Sequence, residues 1–290
     1  MNLSFLSKRL PHVTPVAFIL PGLLGFGLFY LWPFMVAVGY SFMSRPHGGE
    51  FVGFDNYVSL LQNPAYLLGL RNTLFFKGVS VPLNMSLALC IAMLLHKLSG
   101  GVKNLLVLIF LIPLVIPSGS MVFFWQQLFA NQGILNGWLH QLGFEPINWL
   151  GSYHARTVVI TIFVWKSLGF NMVLFMAGLS NIAKEYYEAA AVDGAGKWRM
   201  LITITLPSLL PTVVIVTLMS LINSFKVFRE LYLLMGSHPH TSVYMLQHFM
   251  NNNFFSLNYP RLTTATTLLS ITIALITVGL FALERRFSHD

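Results

Sequence analysis

Six apolar runs divide this chain, at approximately 16–42, 72–95, 104–130, 157–180, 208–235 and 263–283. Each meets the length of roughly 20 residues that a helix needs to cross a bilayer. In hydrocarbon no water is present to satisfy N–H and C=O groups, so an open sheet is excluded and the runs read as helices. The fold class expected is an all-α integral membrane protein, a single transmembrane domain over 1–290 with six spans. Composition agrees: charged residues make up only 9% of the chain, against about 25% in soluble domains. The net charge of +8 does not indicate nucleic acid, because the basic residues lie at the ends of apolar runs and form no clustered face. The chain's one cysteine, Cys90, can form no intrachain disulfide. The first run follows Lys8 and Arg9, is too long for a signal-peptide core and lacks an A-x-A site, so it reads as a retained span.

Orientation follows from the basic residues. Lys8, Arg9, Lys97, Lys103, Lys184, Lys197, Arg199, Arg285 and Arg286 fall on one side of the expected spans; Arg45, Arg71, Arg156 and Arg261 fall on the other. The positive-inside rule then puts both termini and the 181–207 loop in the cytoplasm. Pro21 and Pro33 in the first span, and Pro113 and Pro117 in the third, are expected to bend their helices.

The 181–207 loop is the most informative soluble stretch. Six charged residues (Lys184, Glu185, Glu188, Asp193, Lys197 and Arg199) fall within 16 positions between two apolar runs. Glu185–Val192 has helical propensity, Asp193-Gly194 reads as its stop, and a second helical run over Lys197–Thr205 leads to Pro207. The spacing Glu188-Ala189-Ala190, three residues, Gly194, nine residues, then Ile204-Thr205-Leu206-Pro207 resembles the EAA motif of ABC importer permease subunits. With Asp193, Ala195, Gly196 and Trp198 it is similar to the carbohydrate-uptake branch, which includes maltose, multiple-sugar and glycerol-phosphate systems. Phe51-Val52-Gly53-Phe54-Asp55-Asn56-Tyr57, Leu70-Arg71-Asn72-Thr73 and Gly133–Asn136 carry the resemblance further along the chain. Gly236-Ser237-His238-Pro239 and Asn258-Tyr259-Pro260-Arg261 depart from the family's usual outer turns, which leaves cargo and outer partner open.

The resemblance implies a type I importer permease fold in the plasma (inner) membrane of a prokaryote, in contact with lipid. It also implies a second permease subunit, with a heterodimer expected, two ATPase subunits and an extracellular or periplasmic solute-binding protein. Glu188, Ala189, Ala190, Asp193, Gly194, Ile204, Leu206 and Pro207 would couple the chain to the ATPase. ATP and Mg would belong to those partners, since the chain has no GxxxxGK[ST] loop of its own. No catalytic constellation or metal set stands out; His238 and His240 lack a third ligand at a usual spacing.

Charges inside spans cost about 2.5–3.5 kcal/mol each on insertion scales, so Lys77, Lys166, Lys226, Arg229 and Glu230 are expected to face a cavity or a partner, with snorkelling to the outer headgroups the alternative for Lys226. Lys226 and Glu230 are four apart on one helix and spaced to pair. In the family resembled, the sugar site lies between the spans flanking the EAA loop. That implies Lys166, Ser167 and Phe170 from the fourth span, with Ser220, Asn223, Ser224, Lys226 and Glu230 from the fifth. Hydroxyls, amides and an aromatic face suit a sugar or oligosaccharide; the basic excess raises the alternative of a polyol phosphate or other anionic solute. A secondary transporter would need internal repeats and more intramembrane acids than Glu230 alone. Trp138, Trp149 and Tyr153 in the 131–156 loop read either as interfacial anchors or as part of a docking face.

Overall fold

The computed structural model describes residues 13–288, so Lys8 and Arg9 lie outside the described residues. Among these, the regular elements are helices, with a single isolated antiparallel bridge between Met43 and Phe51. Five helical stretches are long and apolar enough to cross a membrane: Phe18–Tyr40, Pro64–His96, Ala155–Ser180, Leu210–Met235 and Tyr259–Ala282. The expected third span is not one helix. It consists of α5 (Gly100–Val115) and a following helical segment bent away by 98°. Pro117 causes the break. It disfavours helical geometry in the residue before it, and Ile116 is extended at ψ 126.

Prolines elsewhere are absorbed differently. α1 (Val13–Phe26) passes into a π-helical turn over Gly27–Leu31 before α2 (Trp32–Tyr40), which carries Pro33 in its first turn. A proline lacks the N–H and crowds the carbonyl four residues back. The wider turn, closed by Trp32 N–H to Gly27 O, carries the helix past that conflict.

Contacts divide the chain into two compact units. The first holds residues 13–63 and Asn253–Ile271. Here α3 (Asp55–Leu61) is fixed by the end of the 51–57 motif, which runs into its first turn. The Asn56 amide donates to the carbonyls of Ser41 and Met43, both at 2.9 Å, and the Tyr57 and Ser41 hydroxyls meet at 2.6 Å. Phe42 packs against Phe51, Phe54 and Tyr57.

The second unit holds Pro64–Asn252 and 272–288. α4 (Pro64–His96) begins eight residues before the apolar run because Pro64 suits a helix start. It packs along α8 (Ala155–Ser180), and α12 (Leu210–Lys226) contacts both. Two buried apolar clusters result. One contains Phe76, Val122, Trp125, Ile162, Phe163 and Leu231, and the other Ala88, Ala92, Met172, Phe175, Leu209 and Val216. Between them along these helices lies a polar knot. Asn171 donates to Asn84 Oδ1 at 2.5 Å and Ser220 Oγ at 2.8 Å, while Asn84 donates to Val164 O at 3.0 Å. Such interhelical hydrogen bonds hold spans together where lipid supplies no hydrophobic drive. Gly169 serves the same end: a Cβ there would strike the Phe110 carbonyl of α5.

A second polar clamp lies at the other end of α4. Buried Asn72 donates to Thr241 O at 2.7 Å and Tyr244 O at 2.9 Å, and accepts from Arg156 Nη2 at 3.3 Å. Arg156 Nε reaches Ser242 O at 3.1 Å, and Thr73 Oγ1 accepts the Leu246 N–H at 2.9 Å. These bonds pin the segment between α13 (Phe228–Met235) and α14 (Leu246–Phe255) onto α4 and α8. The Arg71-Asn72-Thr73 signature thus has a structural use for its last two members. Asn72→Ala is expected to cost about 1–3 kcal/mol through loss of the hydrogen bonds that buried Asn72 makes to Thr241 O and Tyr244 O. Faster amide exchange at 241–246, with helix content retained, is the measurement; unchanged protection there would refute the clamp.

His248 on α14 is fully buried, accepts the Met245 N–H at Nδ1, and stacks on Tyr244. Burial, with His238 as a second cause, lowers its pKa to about 4. The unfolded imidazole, with its ordinary value near 6.5, binds a proton that the folded one refuses. Its contribution is therefore complete above about pH 6.5 and lost as pH falls towards 4. His248→Gln should flatten the fall in thermal midpoint between those values, and an unaltered slope would contradict it.

Candidate functional site

α8 and α12 are the two spans joined by the 181–207 loop, and the helices they pack against complete a cavity of about 430 Å³. Its walls include Leu114 from α5, Ser118 from α6 (Ser118–Phe129), Phe163, Lys166, Ser167 and Phe170 from α8, and Asn223 and Phe225 from α12. Lys226 through Glu230 close it. The break at Pro117 matters here, because it sets the first residue of α6 beside α8 and α13.

Three of these side chains form a closed polar group. Lys166 Nζ donates to Glu230 and, at 2.8 Å, to Ser118 Oγ; Ser118 Oγ donates to Glu230 Oε1 at 2.6 Å. Glu230 is 2% exposed. A carboxylate at a helix N-terminus is favoured by the amide dipoles there, so α6 adds to what Lys166 supplies. Glu230 Oε2 is buried with no hydrogen-bond partner among the described residues.

The expected Lys226–Glu230 pair does not form. Val227 interrupts the helix, and Glu230 turns inward while Lys226 is exposed. Lys226 Nζ instead donates to Asn223 Oδ1 at 3.0 Å. Lys77 stands outside the lining, its ammonium 2.8 Å from the centroid of the Phe225 ring, a cation–π contact.

Of the residues expected to meet cargo, the structure gathers Lys166, Ser167, Phe170, Asn223, Lys226 and Glu230 around this one cavity. Ser220 and Ser224 lie elsewhere. Ser220 is fully buried in the polar knot, and Ser224 Oγ donates to Leu221 O at 2.6 Å. Ser118 and the Phe225 and Phe228 rings were not among the expected site residues, and Arg229 was expected only as a charge inside a span. A serine after a helix-breaking proline was the one sequence signal for Ser118.

The loop itself is two short helices. α9 (Lys184–Val192) ends at Asp193, and Gly194 follows at φ +76. Ala195 N–H reaches Ala190 O at 2.9 Å and Gly194 N–H reaches Ala191 O at 3.1 Å, the two bonds of a Schellman turn. α10 (Lys197–Met200) leads into a second π-helical turn, Leu201–Thr205, closed by Leu206 N–H to Leu201 O just before Pro207. Ile204 lies within this turn and is half-buried. A bond of 2.9 Å between Tyr187 OH and Thr205 Oγ1 ties α9 to it. Glu188, Ala189 and Asp193 are exposed, as are Val192 at 89% and Trp198 at 78%.

In the 131–156 loop, Asn136 is an organising residue. Its Oδ1 accepts Ile147 N–H and Trp149 Nε1, both at 3.0 Å, and its amide donates to Asn131 O and Ile147 O. Trp149 is thereby held against Phe129, whereas Trp138 and Tyr153 are exposed. His238 and His240 bond Ser237 and Ser242 in their own turn.

The family of binding-protein-dependent transport system inner membrane components matches residues 85–289. The chain belongs to that family. It is 32% identical over 234 residues to the arabinooligosaccharides transport system permease protein AraP of Bacillus subtilis (strain 168), covering 79% of this chain and 74% of AraP. To the lactose transport system permease protein LacF of Rhizobium radiobacter it is 29% identical, covering 78% and 77%. A chain of a bacterial ABC transporter involved in the import of the acidic polysaccharide alginate shares its fold, with TM-score 0.82, 23% identity, and 94% and 95% of the two chains covered. This permease is an inner-membrane component of an ABC importer.

The triad generates a stability prediction. Lys166→Met or Glu230→Gln alone leaves one member of a buried pair unmatched, which costs about 3–5 kcal/mol. The two together should recover most of the loss in thermal midpoint in detergent. Additive losses would show that the pair does not couple.

Proposed function

We propose that this permease carries a sugar or oligosaccharide inward, driven by a separate ATPase docked on the 181–207 loop. The observation that carries the reading is the loop's geometry: α9, ended by the Gly194 turn, presents Glu188 and Ala189 outward beside exposed Val192 and Trp198. Large apolar side chains left in water next to a charged helix face fit a protein partner. Asp193 and Gly194 stop the helix; Ala190, half-buried, takes part in the turn through its carbonyl.

The loop's position suits a lever. Its two ends continue into α8 and α12, which carry the walls of the cavity. Closure of the ATPase pair on ATP and Mg would move α9, and the Tyr187–Thr205 bond would pass that movement to the π-helical turn and α12. α12 spans 17 residues, about 25 Å of helix, and ends at Lys226. The cytoplasmic side of the loop, as the basic residues imply, is part of this proposal. So are two ATPase subunits, a second permease chain as the other half of the pathway, and a solute-binding protein that delivers cargo.

Sugar cargo rests on the cavity's chemistry together with the lactose and arabinooligosaccharide relatives. Ser167, Asn223 and the Lys166–Glu230 group offer donors and acceptors for hydroxyls, and Phe163, Phe170, Phe225 and Phe228 offer flat apolar walls.

Affinity purification of the tagged chain from its native membrane should recover a P-loop ATPase and a second permease. Glu188→Lys should reduce the recovered ATPase about tenfold, as expected for loss of one charged contact. Gly194→Pro, which cannot adopt positive φ, should leave the chain inserted and lower uptake per ATP hydrolysed. Recovery of the chain alone, or normal coupling in Gly194→Pro, would overturn the docking proposal.

A further inference from the structure

Resting on the importer reading, we infer that the cargo is an anionic saccharide whose charged group meets the cationic pair Lys226 and Arg229 on the cavity wall. The cavity's charges are unequal: Lys166, Lys226 and Arg229 face a single carboxylate, Glu230. That carboxylate is already committed through Oε1 to Lys166 and Ser118. Lys226 meets only the neutral Asn223 amide, and Arg229 has no ion-pair partner among the described residues. Two cations in a membrane span without a counter-charge are costly. A neutral sugar would leave that cost in place, whereas a carboxylate, sulfate or phosphate on the cargo would remove it. Arg–anion and Lys–anion hydrogen bonds are also about twice as strong as neutral ones.

The rest of the lining suits the hydroxylated part of such a ligand: Ser167 and Asn223 offer hydrogen-bond partners, and the aromatic rings of Phe170, Phe225 and Phe228 line the same space.

The test uses the whole transporter, permease with its partner permease, ATPase and binding protein, in proteoliposomes. The probes are a trisaccharide of uronic acids and the same trisaccharide with its carboxyl groups methyl-esterified. The wild-type transporter should take up the acid faster than the ester, by about tenfold or more. In Lys226→Gln, Arg229→Gln the acid-to-ester ratio should fall by a similar factor. Because both transporters use one binding protein, its own preference cancels in that comparison. If the variant does not assemble, the single Lys226→Gln and Arg229→Gln variants, each checked for bound ATPase, are compared in the same way.

An unchanged ratio in the variants would overturn the inference, and would show that Lys226 and Arg229 serve only lipid headgroups or folding. Equal wild-type uptake of acid and ester, driven by ATP, would overturn the anionic class while leaving the sugar-importer reading intact. ATP-driven uptake confined to a non-saccharide solute would overturn the reading itself.

Discussion

Backbone groups in hydrocarbon can turn only to one another, and the breaks beside the cavity answer to that constraint. Ile116–Pro117 brings the start of α6 to the charged cavity, where Ser118 bonds Lys166 and Glu230. Val227, buried itself, ends α12 beside the same cavity. The two π-helical turns are a milder solution: at Gly27–Leu31 and Leu201–Thr205 the chain keeps its internal hydrogen bonds while it passes a proline two residues further on. One of these lies where the 181–207 loop enters α12.

The same solvent explains why polar residues, rather than leucines, define how the spans pair. Lipid tails are as apolar as the side chains they would release, so burial alone gives α4, α8 and α12 little reason to meet. Asn84, Asn171 and Ser220 supply that reason, and Gly169 allows α5 to approach α8 closely. Asn72 and Arg156 do the same at the far end of α4. The apolar clusters on either side fill space around these fixed points.

The spans were legible because about 20 apolar residues in a row have few other fates. The Asp193-Gly194 stop was legible because a positive φ calls for glycine. In-span charges could be flagged from their cost, but their partners could not. Lys226 and Glu230 had the right spacing to pair; a one-residue interruption at Val227 and the inward turn of Glu230 gave the carboxylate to Lys166 on another helix. Ser220 and Ser224 had suitable chemistry and faced the wrong way. A serine on a membrane helix can return its hydroxyl to a nearby carbonyl, as Ser224 does to Leu221. Ser118 is an ordinary residue made special by a backbone break, and nothing in its own identity announced it.

The covalent path sharpens what the ion pair can mean for transport. Lys166 lies on the helix that leads into the 181–207 loop, and Glu230 lies beyond the helix that leads out of it. A movement of the loop that changes the spacing of α8 against α12 reaches this pair where α13, which carries Glu230, follows α12. A buried pair is stable only while its geometry is kept. The cavity and the 181–207 loop are thus joined along the chain, through α8 on one side and the π-helical turn and α12 on the other.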